Sequence, residues 1–207
     1  MIRTALLAFS ILALTTGVSL AAGDANAGKG KAALCISCHG LDGNGSPSNA
    51  EWPALAGQHA SYTADQIRAF QEGTTRSNLI MQPMIAGLTE QDIEDVAAYY
   101  ESLPRRIRFA DENARDEIAF GERLYRGGNI ERGIPACMGC HGPAGTGNGP
   151  AGFPALANQT AEYTAIQLNL FKSGERSNDK NMMMQDVAAR LSSEDIQALS
   201  KYLAGLH

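Results

Sequence analysis

One six-residue pattern occurs twice, and it constrains the chain more than any other feature. Cys35-Ile36-Ser37-Cys38-His39-Gly40 returns as Cys137-Met138-Gly139-Cys140-His141-Gly142, 102 positions later. The blocks around it return as well. Trp52-Pro53-Ala54-Leu55-Ala56-Gly57-Gln58 is matched by Phe153-Pro154-Ala155-Leu156-Ala157-Asn158-Gln159, and Arg76-Ser77-Asn78 by Arg176-Ser177-Asn178. Leu88, Asp92, Ile93 and Tyr99 are matched by Leu191, Asp195, Ile196 and Tyr202. The spacing drifts by a residue or two in Gly- and Asn-rich stretches, where loops absorb insertions. Two copies of about 90 residues are too few and too long for a solenoid, so they read as duplicated domains.

Within each copy the apolar residues recur with helical period. Thr89-Glu90-Gln91-Asp92 is a capping-box start, and Ile93, Val96, Ala97 and Tyr100 follow on one face until Pro104 stops the helix. Ser192 with Asp195 opens the second copy, continued by Ile196, Leu199, Ser200 and Leu203. Tyr62 to Glu72, ended by Gly73, and Ala161 to Ser173, ended by Gly174, form another matched pair of helices. Alternating strand patterns are absent, so the expected class is all-α. Gly-rich loops, Gly40 to Pro47 and Gly142 to Gly149, follow the cysteine motifs. Neither follows a strand or carries the lysine of a phosphate-binding loop. The charge-dense stretch Pro104 to Asp116 reads as a linker.

All four cysteines lie in the two CxxCH motifs. This pattern is that of c-type haem attachment, in which both sulfurs bond the haem vinyl groups and the adjacent His reaches the iron. Two residues between the cysteines make one helical turn and place both sulfurs along one porphyrin edge. A thioredoxin-like dithiol would sit in a βαβ pattern, which is missing. One zinc shared by two pairs so far apart, each followed by His, fits poorly. Structural disulfides are the third alternative in an exported chain. Two motifs in register favour haem over all three. Only 6% of residues are aromatic, so two such small domains have thin cores that something other than protein would fill out.

A second iron ligand is expected about forty residues downstream of each motif. Besides His39 and His141 the chain has only His59 and His207, which occupy unrelated positions in the two copies; His59 is expected on the surface. Methionines cluster at matching places instead: Met81 and Met84, then Met182, Met183 and Met184. The alternative role for each is gap-filling in the core. Counting back seven from Leu88 and Leu191 gives Met81 and Met184, each followed by Gln. Met84 then corresponds to Val187, and Met182 and Met183 to Leu79 and Ile80, which lack a ligating atom. Met81 is therefore expected to pair with His39, and Met184 with His141. Such His/Met ligation leaves no open position on iron and suits electron transfer.

These residues together resemble the dihaem cytochrome c4 family, which consists of two class I cytochrome c domains in tandem, each wrapped around one covalent haem. The likeness runs from Ala22-Gly23-Asp24-Ala25 through both CxxCH motifs, both Pro-Ala-Leu-Ala blocks, Arg76 and Arg176, both Met-Gln pairs and Leu203-Ala204-Gly205-Leu206-His207. The triple Met182-Met183-Met184 departs from the pattern. The resemblance implies a periplasmic electron carrier with peripheral membrane association, fed by a quinol-oxidising complex and donating to a terminal oxidase. It also implies that the carbonyls of Pro53 and Pro154 accept hydrogen bonds from His39 and His141, the alternative being simple turn prolines. Arg76 and Arg176 read either as partners of haem propionates or as exposed helix-end arginines. Two other functions share this build: the dihaem subunit of a flavocytochrome sulfide dehydrogenase, and a dihaem peroxidase. The peroxidase needs a displaceable ligand, which two registered methionines argue against.

Residues 1–21 read as a signal peptide: Arg3 precedes the apolar run Ala5 to Leu14, and Ser19-Leu20-Ala21 ends in small residues. The expected organisation is then an N-terminal domain over 22–103, a linker over 104–117 and a C-terminal domain over 118–207. With 17 Lys+Arg against 22 Asp+Glu the chain is no general nucleic-acid binder. Charge is unevenly spread: residues 22–103 carry net −6 and residues 118–207 net 0, which would steer redox partners to one end. Mass spectrometry of the native protein should give a chain starting at Ala22 plus two haem masses; a single haem mass would contradict the duplicated-site reading.

Overall fold

The structure, a computed structural model, describes residues 22–46 and 48–207. The expected signal peptide, 1–21, lies outside them. The chain builds the same five-helix unit twice. The first comprises α1 (Ala25–Lys31), α2 (Ile36–His39), α3 (Ala60–Glu72), α4 (Met81–Ile85) and α5 (Glu90–Ser102). The second comprises α6 (Arg115–Gly127), α7 (Met138–His141), α8 (Ala161–Ser173), α9 (Met183–Ala189) and α10 (Ser193–Ala204). Among the described residues there are isolated bridges but no strand. The fold is all-α, two copies of one helical unit in tandem.

The helix starts follow from capping chemistry. Thr89 accepts from the backbone N–H of Asp92 while the Asp92 carboxylate accepts from that of Thr89, and Ser192 with Asp195 repeats the exchange. The faces expected from periodicity are the buried ones: Ile93, Val96, Ala97 and Tyr100 in α5, and Ile196, Leu199, Ser200 and Leu203 in α10. Each packs across the first helix of its unit, α1 on α5 and α6 on α10. Sequence periodicity did not reveal α1 or α6, because glycine makes the contact. A Cβ at Gly28 would stand 1.9 Å from the Asp95 carbonyl, and one at Gly121 2.2 Å from that of Ala198.

The stretch read as a linker is partly helical and firmly held. Helix α6 begins at Arg115, preceded by a turn over Glu112–Ala114 that Asp111 caps. Upstream, Arg105 donates to the Gly57 carbonyl at 3.0 Å, and Arg108 bridges the carbonyls of Asn158 (3.1 Å) and Asn44 (2.6 Å).

The two domains meet through reciprocal contacts between equivalent residues, as a local two-fold axis requires. Arg76 donates to Tyr163 Oη at 2.8 Å, and Arg176 to Tyr62 Oη at 2.8 Å. Gln66 and Gln167 each accept from both arginines. Each guanidinium lies 4.3 Å over a ring of its own domain, Phe70 or Phe171. The arginines are only 6% and 4% exposed, so the reading of them as exposed helix-end residues is incorrect; the repeat conserved them for an interior position. His59, expected on the surface, is half-buried with Nε2 2.9 Å from the Thr146 carbonyl of the other domain.

Both capping-box carboxylates also hold a cation from the segment leading to the cysteine motif. Lys31 Nζ lies 2.7 Å from Asp92, and Arg132 pairs with the buried Asp195. Hydrogen bonding from Lys31, then from Thr89, holds Asp92 down at about 2. Burial opposes ionisation of Asp195, yet hydrogen bonds from Arg132 and Ser192 outweigh it and its pKa is lowered. A carboxylate with a depressed native pKa contributes stability above its unfolded value of about 4 that is lost as pH falls through the native value. The holoprotein should therefore lose stability on acidification below about pH 4, and Asp195→Asn should flatten that loss in a pH series of denaturation curves. Gly121→Ala should destabilise by about 1–3 kcal/mol in the same assay, since the two helix backbones must separate.

Candidate haem sites

Helix α2 is a single turn begun at Cys35, where the backbone N–H of His39 donates to the Cys35 carbonyl at 2.9 Å; α7 repeats it from His141 to Cys137 at 3.0 Å. Each turn ends at a glycine with positive φ, 84° at Gly40 and 78° at Gly142. At Gly40 a Cβ would also meet the Gly45 carbonyl at 2.6 Å, so the chain can reverse there only through glycine. The Gly-rich loop then folds back. Gly45 donates to the His39 carbonyl, and the Gly43 carbonyl accepts from Leu55 and Ala56. These bonds deliver Pro53 to the histidine ring, and Gly145, Gly147 and Pro154 do the same in the second domain.

The rings are held identically. His39 Nδ1 donates to the Pro53 carbonyl at 2.9 Å, and His141 Nδ1 to that of Pro154 at 2.9 Å. Both histidines are buried, and burial pushes their pKa values down against the pull of the carbonyls. A neutral imidazole with its proton on Nδ1 keeps the Nε2 lone pair for a metal. The four cysteines are free thiols, so the disulfide alternative does not describe this structure. Burial pushes Cys137 up to about 11 and raises Cys35 as well. The dithiol alternative would sit in a βαβ unit, and the described residues form no strand. One neutral histidine with a committed Nδ1, flanked by two free thiols, is a donor set that fits a covalently attached haem.

The methionines divide by environment. Met81 is half-buried against the core containing Ile85, Ile93 and Tyr100, and Met184 is half-buried at the start of α9. Met84, Met182 and Met183 are 42%, 58% and 40% exposed. A side-chain oxygen holds the backbone at each of the two half-buried positions. Asn78 Oδ1 accepts from Met81 N at 2.9 Å, and Asp179 Oδ2 from Met184 N at 2.7 Å. The second copy has three extra residues between Asn178 and Met184, and the chain turns there through Asn181 and Met182, both at left-handed φ (53° and 57°). Sequence reasoning assigned no role to Asn78 and Asp179, nor to Gln58, Gln159, Tyr62 and Tyr163 between the domains. Except for Asp179, each has a repeated counterpart at the common spacing, which was the available signal.

Comparison with known proteins agrees with this geometry. The family model described as Cytochrome c matches residues 25–104 and again 119–207. The chain is 47% identical over 201 residues to cytochrome c4 of Stutzerimonas stutzeri, covering 93% of each chain. It is 41% identical over 175 residues to the thiosulfate dehydrogenase electron acceptor of Stutzerimonas stutzeri strain A1501, covering 84% of this chain and 80% of that one. The crystal structure of reduced recombinant cytochrome c4 from Pseudomonas stutzeri superposes with a TM-score of 0.85 at 47% identity, covering 90% of this chain and all of that one. With two attachment turns, two covalently bound haems c and relatives matched along nearly the whole chain, the protein belongs to the cytochrome c4 family of dihaem electron carriers.

Proposed function

We propose that this carrier works in the periplasm, exported by residues 1–21, where it takes electrons from a quinol-oxidising complex and delivers them to a terminal respiratory oxidase. The domains that hold its haems are taken as 22–103 and 118–207, joined by 104–117. Cys35 and Cys38 bond one haem, Cys137 and Cys140 the other. His39 and Met81 would hold the iron of the first, and His141 and Met184 that of the second. The bound haems supply one-electron chemistry between ferric and ferrous iron.

The observation that carries the ligand assignment is the doubled geometry: a buried His tied to a proline carbonyl, and a half-buried Met whose backbone N–H is capped, in both domains. Pro53 and Pro154 fix the ring orientation and basicity of the histidines. Arg76 and Arg176 are assigned to the haem propionates. Their protein partners are the uncharged side chains of Tyr, Gln and, for Arg176, Asn178, and a buried guanidinium without a carboxylate favours an anion beside it. Closed His/Met sites favour a carrier over a peroxidase. Peripheral association with the lipid surface belongs to the same proposal; among the described residues no helix is long and apolar enough to cross a membrane.

The relative described as a thiosulfate dehydrogenase electron acceptor favours a second reading, in which electrons arrive from a sulfur-oxidising enzyme. The flavocytochrome sulfide dehydrogenase subunit is a variant of that reading. Stopped-flow reduction by a quinol-oxidising complex and by a thiosulfate-oxidising enzyme separates the two donors. For the ligands, Met184→Leu should abolish the thioether–iron absorption of one haem and lower its potential, while Met182→Leu and Met183→Leu should do neither. A normal ligand band in Met184→Leu, or rapid carbon monoxide binding by the reduced wild type, would overturn the assignment.

A further inference from the structure

The domain interface reaches the axial histidines through a single peptide group on each side. The carbonyl of the Pro53–Ala54 peptide accepts from His39 Nδ1 at 2.9 Å. The N–H of that same peptide donates to Gln159 Oε1, in the other domain, at 2.9 Å. Gln159 Nε2 returns a bond to the Ala54 carbonyl at 3.1 Å, so the side chain grips the residue at both ends. The second domain mirrors this. His141 donates to the Pro154 carbonyl, Ala155 N–H donates to Gln58 Oε1 at 2.9 Å, and Gln58 Nε2 donates to the Ala155 carbonyl at 2.9 Å.

The geometry points to Gln58 and Gln159 as positioning residues that tune the haem of the opposite domain. This inference rests on His39 and His141 being axial ligands. An amide whose N–H is donated becomes more polarised, and its carbonyl becomes a stronger acceptor. Gln159 thereby strengthens the pull of Pro53 on the His39 proton and makes that imidazole a better electron donor to iron, which stabilises the ferric state. Gln58 does the same for His141. Each glutamine also fixes the direction of the carbonyl, because the paired bonds to Ala54 or Ala155 allow one orientation of the segment. Neither glutamine bonds the Pro-Ala segment of its own domain. The potential of each haem is therefore set partly by the docking of the other domain.

The test is potentiometry of the native dihaem protein carrying Gln159→Met, which keeps the side-chain length and removes the acceptor. The haems are distinguished by the Met81→Leu and Met184→Leu variants. The expected result is a higher potential for the haem of the N-terminal domain, with the C-terminal haem unmoved; Gln58→Met should give the converse. The resonance of the His39 Nδ1 proton in reduced Gln159→Met should shift toward that of a weaker hydrogen bond. Ser61→Ala, which cuts the bond from Ser61 Oγ to the Gly149 carbonyl of the other domain and touches neither the Pro53–Ala54 peptide nor Arg76, serves as the control and should move neither potential. Unmoved potentials in both glutamine variants, a shift confined to the mutated domain's own haem, or an equal shift in Ser61→Ala would each overturn the inference. Loss of low-spin haem in the wild type would instead overturn the ligand assignment on which it stands.

Discussion

A buried histidine ring keeps one orientation and one tautomer only when one of its nitrogens is held, and here that hold is a backbone carbonyl. Much of each domain serves to bring it there. The helical turn from Cys35 sets the ring beside the thiols, Gly40 lets the chain reverse, and bonds from Leu55 and Ala56 to Gly43 carry Pro53 over the ring. A proline offers its carbonyl without an N–H that would need a partner of its own. Because the ring is buried and neutral, the Nδ1–H···O=C bond also selects the tautomer. The same sequence of constraints in the second domain ends at Pro154.

Duplication turned one surface of this device into an interface. The segment that presents Pro53 also presents Ala54 to Gln159, and the equivalent surface of the second domain presents Ala155 to Gln58. Equivalent residues facing one another across an axis satisfy each other's hydrogen bonds with one set of side chains, as in a symmetric dimer. The arginines extend the pattern. Each stacks on a phenylalanine of its own domain and donates to a tyrosine of the other. Arg105 and Arg108 lock the connecting segment against both halves, so the domains are held beyond their covalent connection.

The cysteine motifs, the helices with capping boxes and the matched register of Met81 and Met184 were readable because each depends on local spacing. Ser192 and Asp195 sit three apart whatever surrounds them, and the count back from Leu191 crosses no insertion. Helices α1 and α6 escaped because their tightest contacts are made by Gly28 and Gly121, residues that carry no hydrophobic signal. The supposed linker misled for a related reason. Its arginines look solvated in sequence, whereas Arg105 and Arg108 spend their donors on backbone carbonyls far along the chain.

The sequence by itself determined the class of protein: two haems, a helical frame and a repeated register of candidate ligands, all of which follow from residue identity at short range. Only the tertiary structure decided what the remaining repeated residues do. Gln58, Gln159, Tyr62, Tyr163, Arg76 and Arg176 recur at the proper spacing, but a repeat cannot say whether a residue faces its own haem or the neighbouring domain. Hydrogen bonding is short-ranged and directional, so that choice belongs to the docking of the two domains. The docking places Gln159 on the peptide beside His39, over a hundred residues away in the chain.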